Sequence, residues 1–220
     1  MKTIFTIYNN AIDKRLFHYQ SMVVDKFRGD IEFLSIYHEY PNDKINHGDV
    51  LGIWINRLFN TTNCDCLLIL DIDCIPLTQK SIETTFELAY NGNLVGNIQR
   101  TNHIQNNQHV FVAPSFLGLS KQTYKNLGRP TFSDSEDGDV AEQLTYNAEN
   151  LGIPCIYYMP KHSELFPEGN SWALADGMPH YGIGTTFEFQ GMDMSYHLFE
   201  SRLGKWNQMF YNKCHQLITS

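Results

Sequence analysis

Cys66-Leu67-Leu68-Ile69-Leu70-Asp71-Ile72-Asp73 is an apolar run of strand length that stops at two carboxylates one residue apart. Continuous Leu/Ile character suits a strand covered on both faces, as in the parallel sheet of an α/β domain. In such sheets ligands collect beyond the carboxyl ends of the strands. Two acids at that point repel each other unless a cation joins them. Hard oxygen donors suit Mg²⁺ or Mn²⁺, ions that commonly bridge to substrate phosphates. The plain alternative is a solvated turn at a strand end.

Working outward, residues 3–8 read as a strand and 11–27 as an amphipathic helix, with apolar positions at Ile12, Leu16, Phe17, Met22, Val23 and Phe27. Residues 31–37 read as a second strand and 49–59 as a second helix, with Asp49 as its N-cap. This β-α-β order predicts a parallel sheet with right-handed crossovers. Downstream, 81–90 is helical, 94–98 strand-like, and 111–113 and 116–119 are short strands around Pro114-Ser115. A short helix over 121–127 closes at Gly128, and 139–151 is a helix with Asp139 near its start and Gly152 past its end. Residues 156–159 form another strand and 203–218 a terminal helix. Between them, 160–191 is rich in Gly, Pro, His and aromatics with little periodicity, the pattern of an irregular functional segment that roofs a site.

At 220 residues the chain suits one sizeable domain. A net charge of −8 with dispersed basic residues argues against a nucleic-acid surface. No apolar stretch reaches the length of a membrane span, and the opening strand breaks at Asn9-Asn10 too soon for a signal-peptide core. A soluble cytoplasmic protein is expected. The five cysteines, an odd number, are expected as reduced thiols. Cys64-x-Cys66 with Cys74 lacks the second pair that a structural zinc site needs.

Three further motifs follow the Asp71/Asp73 pair. Residues 116–128 place Gly118 in a strand that leads into a short helix, where a missing Cβ allows close approach of a sugar or a neighbouring backbone. Ser135-Glu136-Asp137-Gly138-Asp139 lies at the mouth of the next helix. Two late histidines, His180 and His197, are candidates to complete a metal sphere. His197 is preferred because Ser201 and Arg202 follow it and suit a diphosphate beside the metal.

In this order the motifs resemble glycosyltransferases of the GT-A fold, whose nucleotide-binding α/β half precedes an acceptor-binding half. The resemblance implies a single GT-A-like α/β domain with a mostly parallel central sheet flanked by helices, about 1–100 binding nucleotide and about 101–220 binding acceptor. It implies transfer of a sugar from a nucleotide diphosphate, UDP by default, to a hydroxyl of a glycan or lipid-linked acceptor with Mn²⁺ or Mg²⁺. Asp73 and Asp71, with His197 or alternatively His180, would hold the metal. Asp71 and Ile72 would also border the donor, together with Thr6, Tyr8, Asn9 and Tyr37 for base and ribose and Ser201 and Arg202 for phosphate. Matched to the family's acidic motif, Asp137 is the base of an inverting reaction. Glu136 and Asp139 would meet sugar hydroxyls, or Asp139 would cap its helix. The segment 197–202 would close over the donor on a hinge within 182–191.

Two other classes compete. Haloacid-dehalogenase-type phosphatases also carry Asp-x-Asp after an apolar strand, but here two βα units precede the motif, Ile75 stands where Thr or Val is usual, and a lysine on its own strand end is not evident. A non-catalytic sugar-binding module would use the 13% aromatic content and Trp54, Trp172 and Trp206.

Overall fold

The computed structural model describes residues 1–39, 47–101, 107–136, 138–168 and 172–220. Its first half alternates as the periodicity predicts: β1 (Lys2–Asn9), α1 (Lys14–Phe27), β2 (Glu32–His38), α2 (His47–Thr61) and β3 (Cys66–Leu70). β1 lies between β2 and β3 and runs parallel to both. All five residues of β3 are buried, as its unbroken apolar character requires. α1 is capped by Asp13, which accepts the Arg15 N–H at 3.0 Å. α2 begins at His47, so Asp49 lies in its first turn rather than at its cap.

Beyond β3 come β4 (Cys74–Pro76), α3 (Gln79–Tyr90), β5 (Leu94–Arg100), β6 (Val110–Ser120), α4 (Lys121–Asn126), α5 (Glu142–Leu151), β7 (Cys155–Leu165), β8 (Ile183–Phe189), β9 (Met192–His197) and α6 (Asn207–Thr219). The strands form a nine-stranded sheet in the order β2-β1-β3-β6-β5-β7-β8-β9-β4. The expectation of a mostly parallel sheet is corrected: among the described residues three strand pairs are parallel and five antiparallel. The βα crossovers that enforce parallel pairing give way to consecutive antiparallel strands, with β6 returning between β3 and β5 and β8 turning directly into β9.

β6 is one eleven-residue strand through Pro114 rather than two short ones. The proline is tolerated because the register with β5 shifts opposite it, between Gly96 and Ile98. A Cβ on Gly96 would sit 2.1 Å from the Phe116 carbonyl oxygen, so only glycine fits there. The segment expected to be irregular over 160–191 instead contains the end of β7 and all of β8. Core side chains fill both faces of the sheet, with α2 and α5 on one side and α3 on the other. α6 packs on α1 through Phe210, Tyr211 and Cys214 against Leu16 and Val23. Among the described residues no helix is long and apolar enough to cross a membrane.

Candidate metal-binding site

The tight turn after β3 is held on every side. The Asp71 N–H donates to the Ser115 carbonyl at 3.1 Å, beside the β6 irregularity, and the Cys74 N–H closes the turn onto the Asp71 carbonyl at 3.0 Å. Gln20, fully buried on α1, donates its amide to the carbonyls of Asp71 (2.6 Å) and Cys74 (2.7 Å). β4 then pairs antiparallel with β9, setting Cys74 opposite His197. The Leu198 N–H donates to the Asp73 carbonyl at 3.0 Å. Residues 124 positions apart thereby meet, with His197 Nε2 3.2 Å from Asp73 Oδ1.

Ligand atoms of Asp71, Asp73 and His197 all lie within 4.8 Å of one another. Asp73 and His197 are 8% and 5% exposed. Burial raises the Asp73 carboxyl, but the His197 charge and hydrogen bonds from His197 and Ser201 outweigh it and hold the group below its ordinary range. The carboxylate therefore stays ionised, as a ligand must. His197 Nδ1 is buried without a hydrogen-bond partner among the described residues, and the ring lies against Phe199 at 3.8 Å. A donor set of two carboxylates and one imidazole fits a divalent ion.

The cluster lines a cavity of about 660 Å³. Tyr8 and Asn9, at the carboxyl end of β1, form one wall, and the Tyr8 ring stacks on Phe17 at 4.2 Å. Ile72, Ser201 and Arg202 also line it; Ser201 is buried in a 3-10 turn, Ser201–Leu203, while Arg202 is exposed and pairs with Glu200 at 3.1 Å. Asp139 borders the cavity too, its carboxylate accepting from Gln99 at 3.4 Å.

Other expected residues lie elsewhere. Thr6 is fully buried within β1 and is not on the cavity wall. Tyr37 is 42% exposed at the end of β2, beside Tyr8 but outside the lining. Glu136 is exposed in a turn closed by the Ser135 N–H on the Gly138 carbonyl, and Asp137 lies outside the described residues. His180 is exposed and borders a separate hollow with Arg100, Asn107 and Met178. Nor does Asp139 cap α5, whose N-cap is Ala141. Gly118 serves packing rather than a sugar, since a Cβ there would fall 2.6 Å from Thr85 on α3 and 2.8 Å from Val95. Residues 182–191 are not a hinge: they hold β8, bonded on both edges, and the turn into β9.

Sequence reasoning missed several wall residues. His47 Nε2 lies 3.7 Å from Asp71 Oδ1, an ion-pair rather than a hydrogen-bond distance. Burial lowers the His47 imidazole, but Asp71 and then Asp73 more than reverse this and leave it above its ordinary value. His38, Asp134, Trp172 and Tyr181 also face the cavity. Apart from Trp172, which the sequence offered to a sugar-binding module, none of these carried a local signal, because they reach the wall from scattered places: His38 at the end of β2, His47 at the start of α2, and Asp134 and Tyr181 between elements. The cavity lining among the described residues includes no lysine, which the phosphatase chemistry would need. Cys64, Cys66 and Cys74 are buried core thiols and join no metal-ligating group among the described residues.

No protein-family model and no curated protein matches the sequence. Among solved structures, a mutant of Drosophila β1,4-galactosyltransferase 7 in complex with manganese, UDP-Gal and xylobiose is similar at 10% identity and TM-score 0.45 over 71% of this chain and 64% of that one. The catalytic domain of the same Drosophila enzyme with xylobiose matches at 10% identity and TM-score 0.45 over 71% and 63%. Protein A197 from STIV matches at 16% identity and TM-score 0.43 over 67% and 78%. The chain thus spans less than two thirds of the galactosyltransferase chains it matches.

Proposed function

We propose that this chain is a metal-dependent glycosyltransferase that moves a sugar from a nucleoside diphosphate, UDP by default, to a hydroxyl of a glycan or lipid-linked acceptor. The observation that carries the reading is the convergence of Asp71, Asp73 and His197 at the floor of one cavity, from a strand end and a strand far apart in sequence. The imidazole favours Mn²⁺ over Mg²⁺, which prefers all-oxygen coordination. When bound, such an ion neutralises the departing diphosphate.

The chain's own residues divide the remaining work. Tyr8 and Asn9 offer a ring and an amide for base and ribose, and Ser201 and Arg202 offer donors to phosphate oxygens on the same wall. The size of the cavity suits a nucleotide sugar. An acceptor hydroxyl loses its proton as it attacks the anomeric carbon, and loop 135–139 is the source of the base. Asp137 is a candidate by its place in the acidic motif, Asp139 by its place on the cavity wall.

The test is a panel of nucleotide sugars and acceptors, assayed with Mn²⁺ and with chelator for release of nucleotide and formation of product. A donor at a hundred times its dissociation constant should stabilise the fold by about 2.7 kcal/mol. Asp137→Asn or Asp139→Asn, whichever removes the base, should lower turnover about 100-fold or more with donor affinity held. If no nucleotide stabilises the chain in the presence of Mn²⁺, the reading fails.

A further inference from the structure

Glu142 is a fully buried acid outside the metal cluster. Its carboxylate is shared by three separate segments. Thr101, just past β5, donates its hydroxyl to Oε2. The Asp139 N–H donates to the same oxygen at 2.7 Å. His109, which leads into β6, places Nδ1 2.5 Å from Oε1, and Nε2 of the same ring lies 3.4 Å from Glu149. With a carboxylate at each nitrogen the imidazole is a donor on the Glu142 side. The His109 ring is further fixed by stacking on Tyr146 at 3.9 Å and 8°.

Space for the carboxylate is made by Gly138, where a Cβ would sit 3.2 Å from Oε2. The helix itself offers no conventional cap, because Ala141 holds its N-cap position at φ 67° without a side-chain bond. Glu142 reaches back across this turn to the Asp139 peptide, whose side chain borders the cavity. A buried acid without such partners would be costly, and a surface helix start would need none.

We propose that Glu142 is a positioning residue, its carboxylate anchored by Thr101 and His109 so that it fixes the Asp139 peptide and aims the Asp139 carboxylate into the cavity. This rests on the reading that loop 135–139 serves sugar transfer. Glu142 touches no substrate. It acts by denying the loop the small displacements that degrade the alignment of a base.

Two measurements on Glu142→Ala test it: amide hydrogen exchange at Asp139, and turnover beside Mn²⁺-dependent UDP affinity. Exchange at Asp139 should accelerate about tenfold or more, since the carboxylate that accepts its N–H is gone. Turnover should fall about 10- to 100-fold, while UDP affinity stays within about twofold because Glu142 belongs neither to the metal cluster nor to the cavity lining. Glu142→Gln, which keeps an oxygen for the Asp139 amide, should restore both protection and turnover. Should the alanine variant not fold, Glu142→Asp, with the carboxylate drawn back by one methylene, carries the same expectations. Unchanged exchange at Asp139, or freed exchange with turnover intact in a chain that transfers sugar, overturns the proposal. Absence of nucleotide binding by the unmodified chain would sink the transferase reading alone, leaving the exchange result to decide the role of Glu142.

Discussion

Thr6 and Glu142 show how differently a buried polar group behaves with and without partners. The Thr6 hydroxyl is buried in β1 with no hydrogen-bond partner among the described residues. Thr6→Val should therefore stabilise the fold by up to about 1 kcal/mol in chemical denaturation, with nucleotide affinity unchanged. A loss of affinity would instead restore Thr6 to the donor contacts implied by the family resemblance. Glu142 is the opposite case. Burial raises its carboxyl, but hydrogen bonds from His109, Thr101 and the Asp139 peptide, with the His109 charge, hold it below its ordinary value. Burial likewise lowers His109, and Glu142, then Glu149, more than reverse this. The lowered acid contributes stability above its unfolded value that is lost as pH falls through its folded one. The raised base contributes stability below its unfolded value that is lost as pH rises through its folded one. The pair should thus give a stability plateau between the two. His109→Gln should flatten the alkaline shoulder of a melting-temperature profile; an unchanged shoulder would show that the pair is not the cause.

At the scale of elements, the βα alternation through β3 was legible because each piece carries its own periodicity and the Asp71/Asp73 pair sits where an apolar strand must end. The later strands were not. β4 is three residues long, too short for any pattern, and β7 runs past Pro160, which reads as a breaker but lies at a register shift against β8. β8 alternates weakly behind Gly182 and Gly184. The choice of His197 over His180 depended on neighbouring Ser201 and Arg202; the strand pairing that delivers His197 to Asp73 is a long-range fact with no local trace. Of the two partners the sequence offered Gly118, a sugar or a neighbouring backbone, the geometry favours protein, since the missing Cβ admits the side chain and carbonyl of Thr85 on α3. Gly118→Val should cost about 1–3 kcal/mol by overpacking that helix, measured by urea denaturation. A loss of donor affinity at unchanged stability would reinstate the sugar contact. In the turn beyond β9, Phe199 and Glu200 both hold positive φ, at 51° and 54°. Glu200→Gly should relieve part of that strain, worth about 1 kcal/mol, seen as a higher melting temperature; a lower one would mean that the Arg202 pair matters more than the backbone.

Across the whole molecule, the mixed sheet does one thing that neither half does alone. Its parallel part ends in Asp71 and Asp73, and its antiparallel part folds β9 back against β4 so that His197 closes the cluster. The cavity above is walled by residues from both parts, Tyr8 and Asn9 from one and Ser201 and Trp172 from the other. A cation at the cluster is what would turn this acidic hollow into a diphosphate site. The most direct measurement is calorimetric titration of UDP into the unmodified chain and into Asp73→Asn, each with Mn²⁺ and with chelator. Binding should require Mn²⁺ in the unmodified chain and weaken by more than about 100-fold in Asp73→Asn, beyond the loss typical of outer-shell changes. UDP bound equally well without the metal, or equally well by Asp73→Asn, would contradict a metal-held nucleotide at this site.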